Sequence, residues 1–363
     1  MWSRLLLKQV KIMKYLSLFS GIGGFEKGIQ QAYENNEHAH ISEKSEQEER
    51  TQRGVGTVDL GGVLLHSGDK TTPLCIGYSE IDKYAIATYQ KHYPAHHNYG
   101  DITKINADEL SDFDLLVGGF PCQAFSIAGK RKGFEDTRGT LFFEIARILK
   151  AKQPRLFLLE NVKGLLSHDN GQTFRTIIAT LDELGYDLQW QVLNSKNHGV
   201  PQNRERIFIV GHLRGTRRPE VFPFTKSAGN DIEVVGELSS ETWTKRNEST
   251  RRVYGVEGVA PTIPTAQGGG VMAKIVVPRN RRTEFVESDI SSTLTSHYRG
   301  APDGDGRHGL REDMTIRRLT PTECERLQGF PDGWTIGSDT QRYKQCGNAV
   351  TVNVIRDIMI KLL

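Results

Sequence analysis

Cys122 sits in Gly118-Gly119-Phe120-Pro121-Cys122-Gln123-Ala124-Phe125-Ser126, directly after an apolar run that ends at Val117. A lone cysteine is ordinarily a small buried hydrophobe. This one stands where a strand of an open α/β sheet would end, the place where such sheets put their ligands. Flanking glycines and a proline make a rigid turn able to hold a thiol exposed. Lys130, Arg131 and Lys132 follow; they would favour the thiolate, the form that attacks, or equally contact phosphate. Glu160 closes another apolar run, Leu156-Phe157-Leu158-Leu159, and is either solvated or aimed into the same crevice. Arg204 and Arg206 lead into Ile207-Phe208-Ile209-Val210. At alternate positions of one strand both would point into one cleft; without that context they read as surface arginines. Were all of them to share one crevice, a thiolate beside a carboxyl and guanidinium groups would suit nucleophilic catalysis.

Such groups need a scaffold, and the rest of the chain supplies its outline. Tyr15-Leu16-Ser17-Leu18-Phe19 reads as a strand, Ser20-Gly21-Ile22-Gly23-Gly24 as a turn, and a helix follows to about Ala32. Strand, glycine turn and helix open a nucleotide-type site, although the glycine pattern alone is weak. From Asn35 to Thr72 a polar stretch with Glu43, Glu46, Glu48 and Glu49 breaks the periodicity and reads as an insertion. The strand pattern resumes at Leu74 and ends at Glu80, where an acid that binds ribose is expected. Its distance from the glycine turn exceeds the usual ~20 residues, and the insertion accounts for the excess. Further strands end at Val117, Leu159 and Val210, with amphipathic helices over Leu141 to Leu149 and Phe174 to Leu184. This alternation predicts an α/β fold with a mostly parallel, doubly wound sheet. After Gly211 the rhythm fails. The chain becomes rich in Arg, Thr, Gly and Pro, with no clear helix until Pro321 to Leu327, and this suits a separate, loop-rich small domain. Asn348 to Leu363 reads as an apolar terminal helix.

Composition narrows the field without deciding it. The 363 residues carry a net charge of only +3, so any nucleic-acid surface must be local. Arginines from Arg204 to Arg282, including Arg214, Arg217 and Arg218, form one candidate stretch. The 4 cysteines form no C-x-x-C pair, which predicts neither a zinc site nor a disulfide framework. No apolar run approaches the ~20 residues of a membrane span, and Leu5-Leu6-Leu7 is too short for the core of a signal peptide. A reducing cytoplasm is the expected setting, with Met1 to Ile12 an extension outside the fold.

Taken in order, the motifs resemble those of the bacterial and phage DNA (cytosine-5) methyltransferases, and the resemblance spans nearly the whole chain. Phe19-Ser20-Gly21-Ile22-Gly23-Gly24-Phe25 is similar to that family's first motif, and Pro121-Cys122-Gln123 to its nucleophile loop. Glu160-Asn161-Val162 and Gln202-x-Arg204-x-Arg206 match the next two. Arg318-Leu319-Thr320-Pro321 through Leu327-Gln328-Gly329-Phe330-Pro331, and Gly347-Asn348-Ala349-Val350, match the last. The implied fold is a Rossmann-like core dependent on S-adenosylmethionine, residues 13–216 with the polar insertion 35–72. A smaller target-recognition domain would span 217–340, and 341–363 would return to the core.

The resemblance also implies roles. Cys122 would add to carbon 6 of a flipped cytosine, turning a ring that is a poor nucleophile into an enamine. Glu160 would hydrogen-bond the N3 edge and the exocyclic amine, Arg206 would hold the O2 side, and Arg204 would support the loop or the nucleophile. For the cofactor, Phe19, Ser20, Gly21, Ile22 and Gly24 would line the methionine and sugar portions, and Glu80 would take the ribose hydroxyls. Ile81, Asp101 and Ile102 would meet the adenine, while Pro121, Leu141, Asn348, Ala349 and Val350 complete the pocket. DNA contacts are implied for Gln123, Ser126, Gln202, Thr293 and Leu294. The partner would be duplex DNA, bound by a monomer without metal. Three rivals are weaker. The RNA-modifying branch of the fold usually has Thr where Ser126 stands. A silent DNA-binding regulator is at odds with intact Cys122, Glu160, Arg204 and Arg206. A nicotinamide dehydrogenase would need a spaced third glycine that G-x-G-G-F lacks.

Overall fold

The architecture was obtained as a computed structural model. It describes residues 12–36, 72–121, 141–225, 234–239, 252–254, 259–263, 274–278, 294–295 and 314–363. Its centre is a six-stranded sheet in the order β2-β1-β3-β4-β7-β5. The strands are β1 (Lys14–Leu18), β2 (Leu74–Ser79), β3 (Leu115–Gly119), β4 (Leu156–Val162), β5 (Tyr186–Asn194) and β7 (Glu205–Leu213); β6 is the short pair Gln202–Asn203.

Alternation along these strands explains why helices cover both faces. Leu16 and Leu18 of β1, Leu116 of β3, Phe157 and Leu159 of β4, and Ile207 and Ile209 of β7 enter one core. Tyr15, Leu115, Val117, Leu156, Leu158, Phe208 and Val210 enter the other. On the first face lie α3 (Leu141–Lys152) and α4 (Gln172–Glu183), whose Ile145, Leu149, Ile177 and Leu181 join that core. On the second lie α1, residues 24–36, and a terminal helix that contributes Ile355, Ile358 and Met359. Between β2 and β3 runs α2 (Lys83–His92), capped by Asp82, whose side chain accepts from the Tyr84 N–H.

The strands β2, β1, β3 and β4 are parallel, as a doubly wound sheet requires. The apolar run ending at Val210 differs, because β7 is antiparallel to both β4 and β5. This reversal brings the start of β7 to the carboxyl ends of β3 and β4, with Val162 opposite Arg206.

Past β7 the structure departs from a loop-rich reading. Five short strands pair as β12-β8-β9-β11-β13: β8 (Val234–Ser239), β9 (Arg252–Tyr254), β11 (Lys274–Pro278), β12 (Leu294–Thr295) and β13 (Met314–Arg318). The pair β10 (Ala260–Pro261) runs beside β6. α5 (Pro321–Leu327) falls where the sequence predicts it, with a capping box between Thr320 and Glu323 and proline in its first turn. The expected terminal helix from Asn348 begins four residues later, and a further helix that the sequence did not predict precedes it. α6 (Asp339–Asn348) ends at Asn348, and α7 (Val352–Leu362) begins after a turn at 349–351. No helix among the described residues is long and apolar enough to cross a membrane.

Candidate active site

Two of the catalytic candidates, Glu160 and Arg206, meet at the carboxyl edge of β3 and β4. Glu160 pairs in register with Gly119 of β3, and a Cβ at Gly119 would lie 3.2 Å from Glu160 Oε2. The missing side chain leaves room for the carboxylate beside the loop that follows β3. Arg206, at the start of β7, places Nε 3.1 Å from Glu160 Oε1, and both side chains are largely shielded from solvent. Burial raises the Glu160 pKa, against the lowering influence of the Arg206 and Arg204 charges. The desolvation cost outweighs the ion pair, so the carboxyl takes up a proton more readily than a free glutamate.

Arg204 takes a different path from Arg206. It precedes β7, is only 3% exposed, and donates from Nη2 to the carbonyls of Gly347 (3.1 Å) and Ala349 (2.8 Å). Its Nε and Nη1 are buried without a protein partner among the described residues. Burial lowers its pKa to about 9, with the Arg206 charge adding to the effect and Glu160 opposing it; it stays cationic at neutral pH. The two arginines therefore do not share partners as residues on one strand face would. One faces Glu160 and the other clamps the turn between α6 and α7.

Asn161, quoted in a motif but given no role by the sequence reading, holds the edge together. Its Nδ2 donates to the Phe120 carbonyl at 2.8 Å, fixing the base of the segment that leads to Cys122. A buried amide directly after a strand-end acid is the signal that could have found it. Pro121 is exposed. Cys122, Gln123, Ser126 and Thr293 lie outside the described residues, as do Lys130, Arg131 and Lys132. Leu294 lies in β12.

A second group of candidates lines the carboxyl ends of β1 and β2. Phe19 has φ 54° without being glycine, and Gly21 and Gly23 follow with φ 55° and 88°. Such left-handed backbone costs energy in a residue with a Cβ and clusters at functional sites. Gly23 has no substitute here, because a Cβ would also lie 2.7 Å from the Tyr93 ring. Glu80 ties this turn to β2. Its Oε2 accepts from the Gly21 N–H (2.9 Å), and its Oε1 accepts from the Ile81 and Asp82 N–H groups (2.8 Å each). Asn98, unremarked in the sequence, accepts from the Glu80 and Gly100 N–H groups and donates to the Glu80 carbonyl. Ile81 is 74% exposed. Asp101 Oδ1 caps the turn of Ile102, whose own side chain is buried. Ser20 Oγ is buried without a partner, and space is open beside Gly21.

The terminal turn closes this side. A Cβ at Gly24 would lie 2.7 Å from Val350 Cγ1, so α1 and the turn touch directly. Leu141 is half-buried at the start of α3, and Asn348 is exposed.

Comparison with known proteins decides what the arrangement belongs to. A model of the C-5 cytosine-specific DNA methylases matches residues 58–363. The chain belongs to that family. Among curated relatives of this methylase, the Type II methyltransferase M1.ScrFI of Lactococcus lactis subsp. cremoris is 40% identical, over 85% of this chain and 76% of its own. M.NlaX of Neisseria lactamica is 36% identical over 96% and 95%. The orphan methyltransferase M.SPRI of Bacillus phage SPR is 31% identical over 97% of each. Among solved structures, the S. pombe Dnmt2 methyltransferase superposes with a TM-score of 0.60 at 16% identity, covering 97% of this chain and 98% of that one; this supports the fold. The methylase transfers a methyl group from a donor to carbon 5 of cytosine in DNA.

Two expected contacts sit differently in the methylase. Gln202, expected at DNA, is fully buried and donates from Nε2 to the Leu327 carbonyl at 3.2 Å; it braces β6 against α5. The side chain of Ile22, expected at the cofactor, packs with Ala85, Phe330 and Trp334. Part of the basic stretch is also engaged, since Arg214 pairs with Asp182 and Asp187 and Arg218 with Asp187. No group of His, Cys, Asp or Glu among the described residues is arranged to hold a metal.

Proposed function

We propose that the methyl donor is S-adenosylmethionine, bound over the carboxyl ends of β1 and β2. The unpartnered Ser20 Oγ, the open space at Gly21 and the exposed Ile81 support this reading. Phe19 to Gly24 would face the methionine and ribose, Ile81 and Asp101 the adenine, and Pro121, Leu141 and Asn348 to Val350 the remaining wall. By lone-pair count, two N–H donors already occupy Glu80 Oε1, whereas Oε2 holds one and has room for a ribose hydroxyl. When bound, the donor supplies an electrophilic methyl sulfonium.

Chemistry then falls to the β3–β4 edge. The target base cannot be reached inside the duplex and is flipped out, at a cost of a few kcal/mol. Cys122 forms a bond to carbon 6, and the electron pair moves toward carbon 5, which attacks the methyl group. Glu160 bonds the N3 edge as charge builds there, and its raised pKa equips it to share a proton. Arg206 keeps that carboxyl oriented and reaches the O2 side, while Arg204 holds the 347–349 turn. Loss of the carbon 5 proton then lets Cys122 leave. The single observation that carries this reading is the Glu160–Arg206 pair, set beside Gly119 at the base of the cysteine loop.

Residues 13–216 would carry the chemistry and the region from 217 would read DNA, with α6 and α7 closing the cofactor side. The enzyme would act as a cytoplasmic monomer on duplex DNA, as the modification arm of a restriction–modification system. Expression in a methylation-free host, followed by sequencing of methylated cytosines, should reveal 5-methylcytosine at one fixed DNA motif. Absence of any methylated motif would overturn the reading.

A further inference from the structure

We propose that Trp334 is a positioning residue for the methyl-donor turn, an inference that rests on the turn at residues 19–24 receiving the donor. Trp334 is buried. Its side chain has a single polar atom, and that N–H donates to the Ile22 carbonyl at 2.8 Å. The turn it grips is conformationally expensive, with Phe19, Gly21 and Gly23 all at positive φ. Something outside the turn must hold it in shape.

Trp334 is itself held from two sides. Its ring stacks on His92 at 3.6 Å between centroids and 5° between planes, and its carbonyl pairs with His92 Nε2 at 2.8 Å. Lys91 Nζ donates to the neighbouring Gly333 carbonyl at 2.8 Å. Phe330 also packs against the indole, 5.0 Å between centroids. A ring fixed by α2 thus aims its one donor at the turn, and it does so from the segment that leaves β13 and α5. Filling space needs none of this directionality, because any large apolar ring would pack against Ile22 and Phe330. Without the N–H, the buried Ile22 carbonyl loses its partner. The turn would then relax, and the donor would have to order it on binding.

Two substitutions in the full-length protein separate positioning from packing. Trp334→Phe removes the N–H and part of the ring. Replacement by benzothienylalanine keeps the ring shape and swaps only the N–H for sulfur, so the test survives if the phenylalanine variant folds poorly. Donor affinity by calorimetry, donor KM, kcat and melting temperature are measured, with Glu80→Ala in parallel. One lost hydrogen bond of ordinary strength should raise the donor Kd and KM about fivefold in the benzothienyl variant, leaving kcat at saturating donor and DNA affinity unchanged. An unchanged donor Kd in that variant, while Glu80→Ala weakens binding, would overturn the role of Trp334 and leave the donor site standing. If Glu80→Ala also binds the donor normally, the donor site has been misplaced and the inference falls with it.

Discussion

Glu160 and Arg206 meet across antiparallel neighbours, with Oε1 3.1 Å from Nε, although they come from strands that begin at opposite ends of the sheet. The reversal of β7 makes that contact possible. A parallel β7 would start at the far edge and carry Arg206 away from Glu160.

The pairing predicts a division of labour between the two residues. Glu160→Gln should cut turnover by about a hundredfold or more, the scale for removing an acid–base or charge-stabilising group, while the donor Kd stays unchanged. Arg206→Ala leaves a buried carboxylate without its ion-pair partner. It should therefore raise the Glu160 pKa further, so that the carboxyl keeps its proton to higher pH and the alkaline limb of the pH–rate profile moves up. An Arg206→Ala profile that superposes on the wild type would contradict the coupling.

A second prediction concerns close approach. Gly28 lies in α1, where a Cβ would sit 2.5 Å from Ile355 Cβ and 2.9 Å from the Val352 carbonyl. Alanine gains roughly 1 kcal/mol in helix propensity over glycine, yet overpacking a tight contact with backbone on one side costs about 1–3 kcal/mol. The clash should win. Gly28→Ala should lower the melting temperature, and because α7 would be pushed back together with the Val350 turn, donor affinity should fall as well. A stabilised variant would show that the α1–α7 contact yields freely.

Glu26 carries a pH signature. It is fully buried, accepts from the Tyr89 hydroxyl at 3.0 Å, and has an Oε2 with no partner. Burial raises its pKa from 4.5 to about 7, against the Tyr89 hydrogen bond that lowers it. Because the folded value lies above the unfolded one, the contribution to stability is complete below pH 4.5 and is lost as pH rises through about 7. The difference corresponds to roughly 3 kcal/mol. Glu26→Gln should flatten the decline in melting temperature between pH 5 and 8. An unchanged slope would mean that Glu26 keeps its ordinary pKa.

Much of this architecture can be read from the residues, because strands buried on both faces are continuous apolar runs. Leu156 to Leu159 is such a run, and so is Ile207 to Val210. Direction is not written in them, and the reversal of β7 depends on its pairing with β5. α6 was missed for a related reason. Asp339 to Asn348 is polar, and only Gln345, Cys346 and Gly347 are buried, so no apolar stripe marks it. Gln202, which the family resemblance sets at DNA, is buried because its partner is a carbonyl supplied 125 residues later. The positions of Glu80 and Glu160 were legible, since each directly follows or closes an apolar strand run. Asn98 and Trp334 were not, because each acts through backbone groups that only the fold brings near.

The proposed catalysis turns on a thiolate attached to cytosine beside Glu160. The direct measurement is to incubate the enzyme with S-adenosylmethionine and a duplex carrying 5-fluorocytosine at the methylated position. Fluorine cannot leave as the carbon 5 proton does, so a denaturant-stable protein–DNA complex should accumulate, with the cross-link mapping to Cys122. Cys122→Ser should bind the same duplex and form no such complex. Trapping by Cys122→Ser at the wild-type rate would contradict the account.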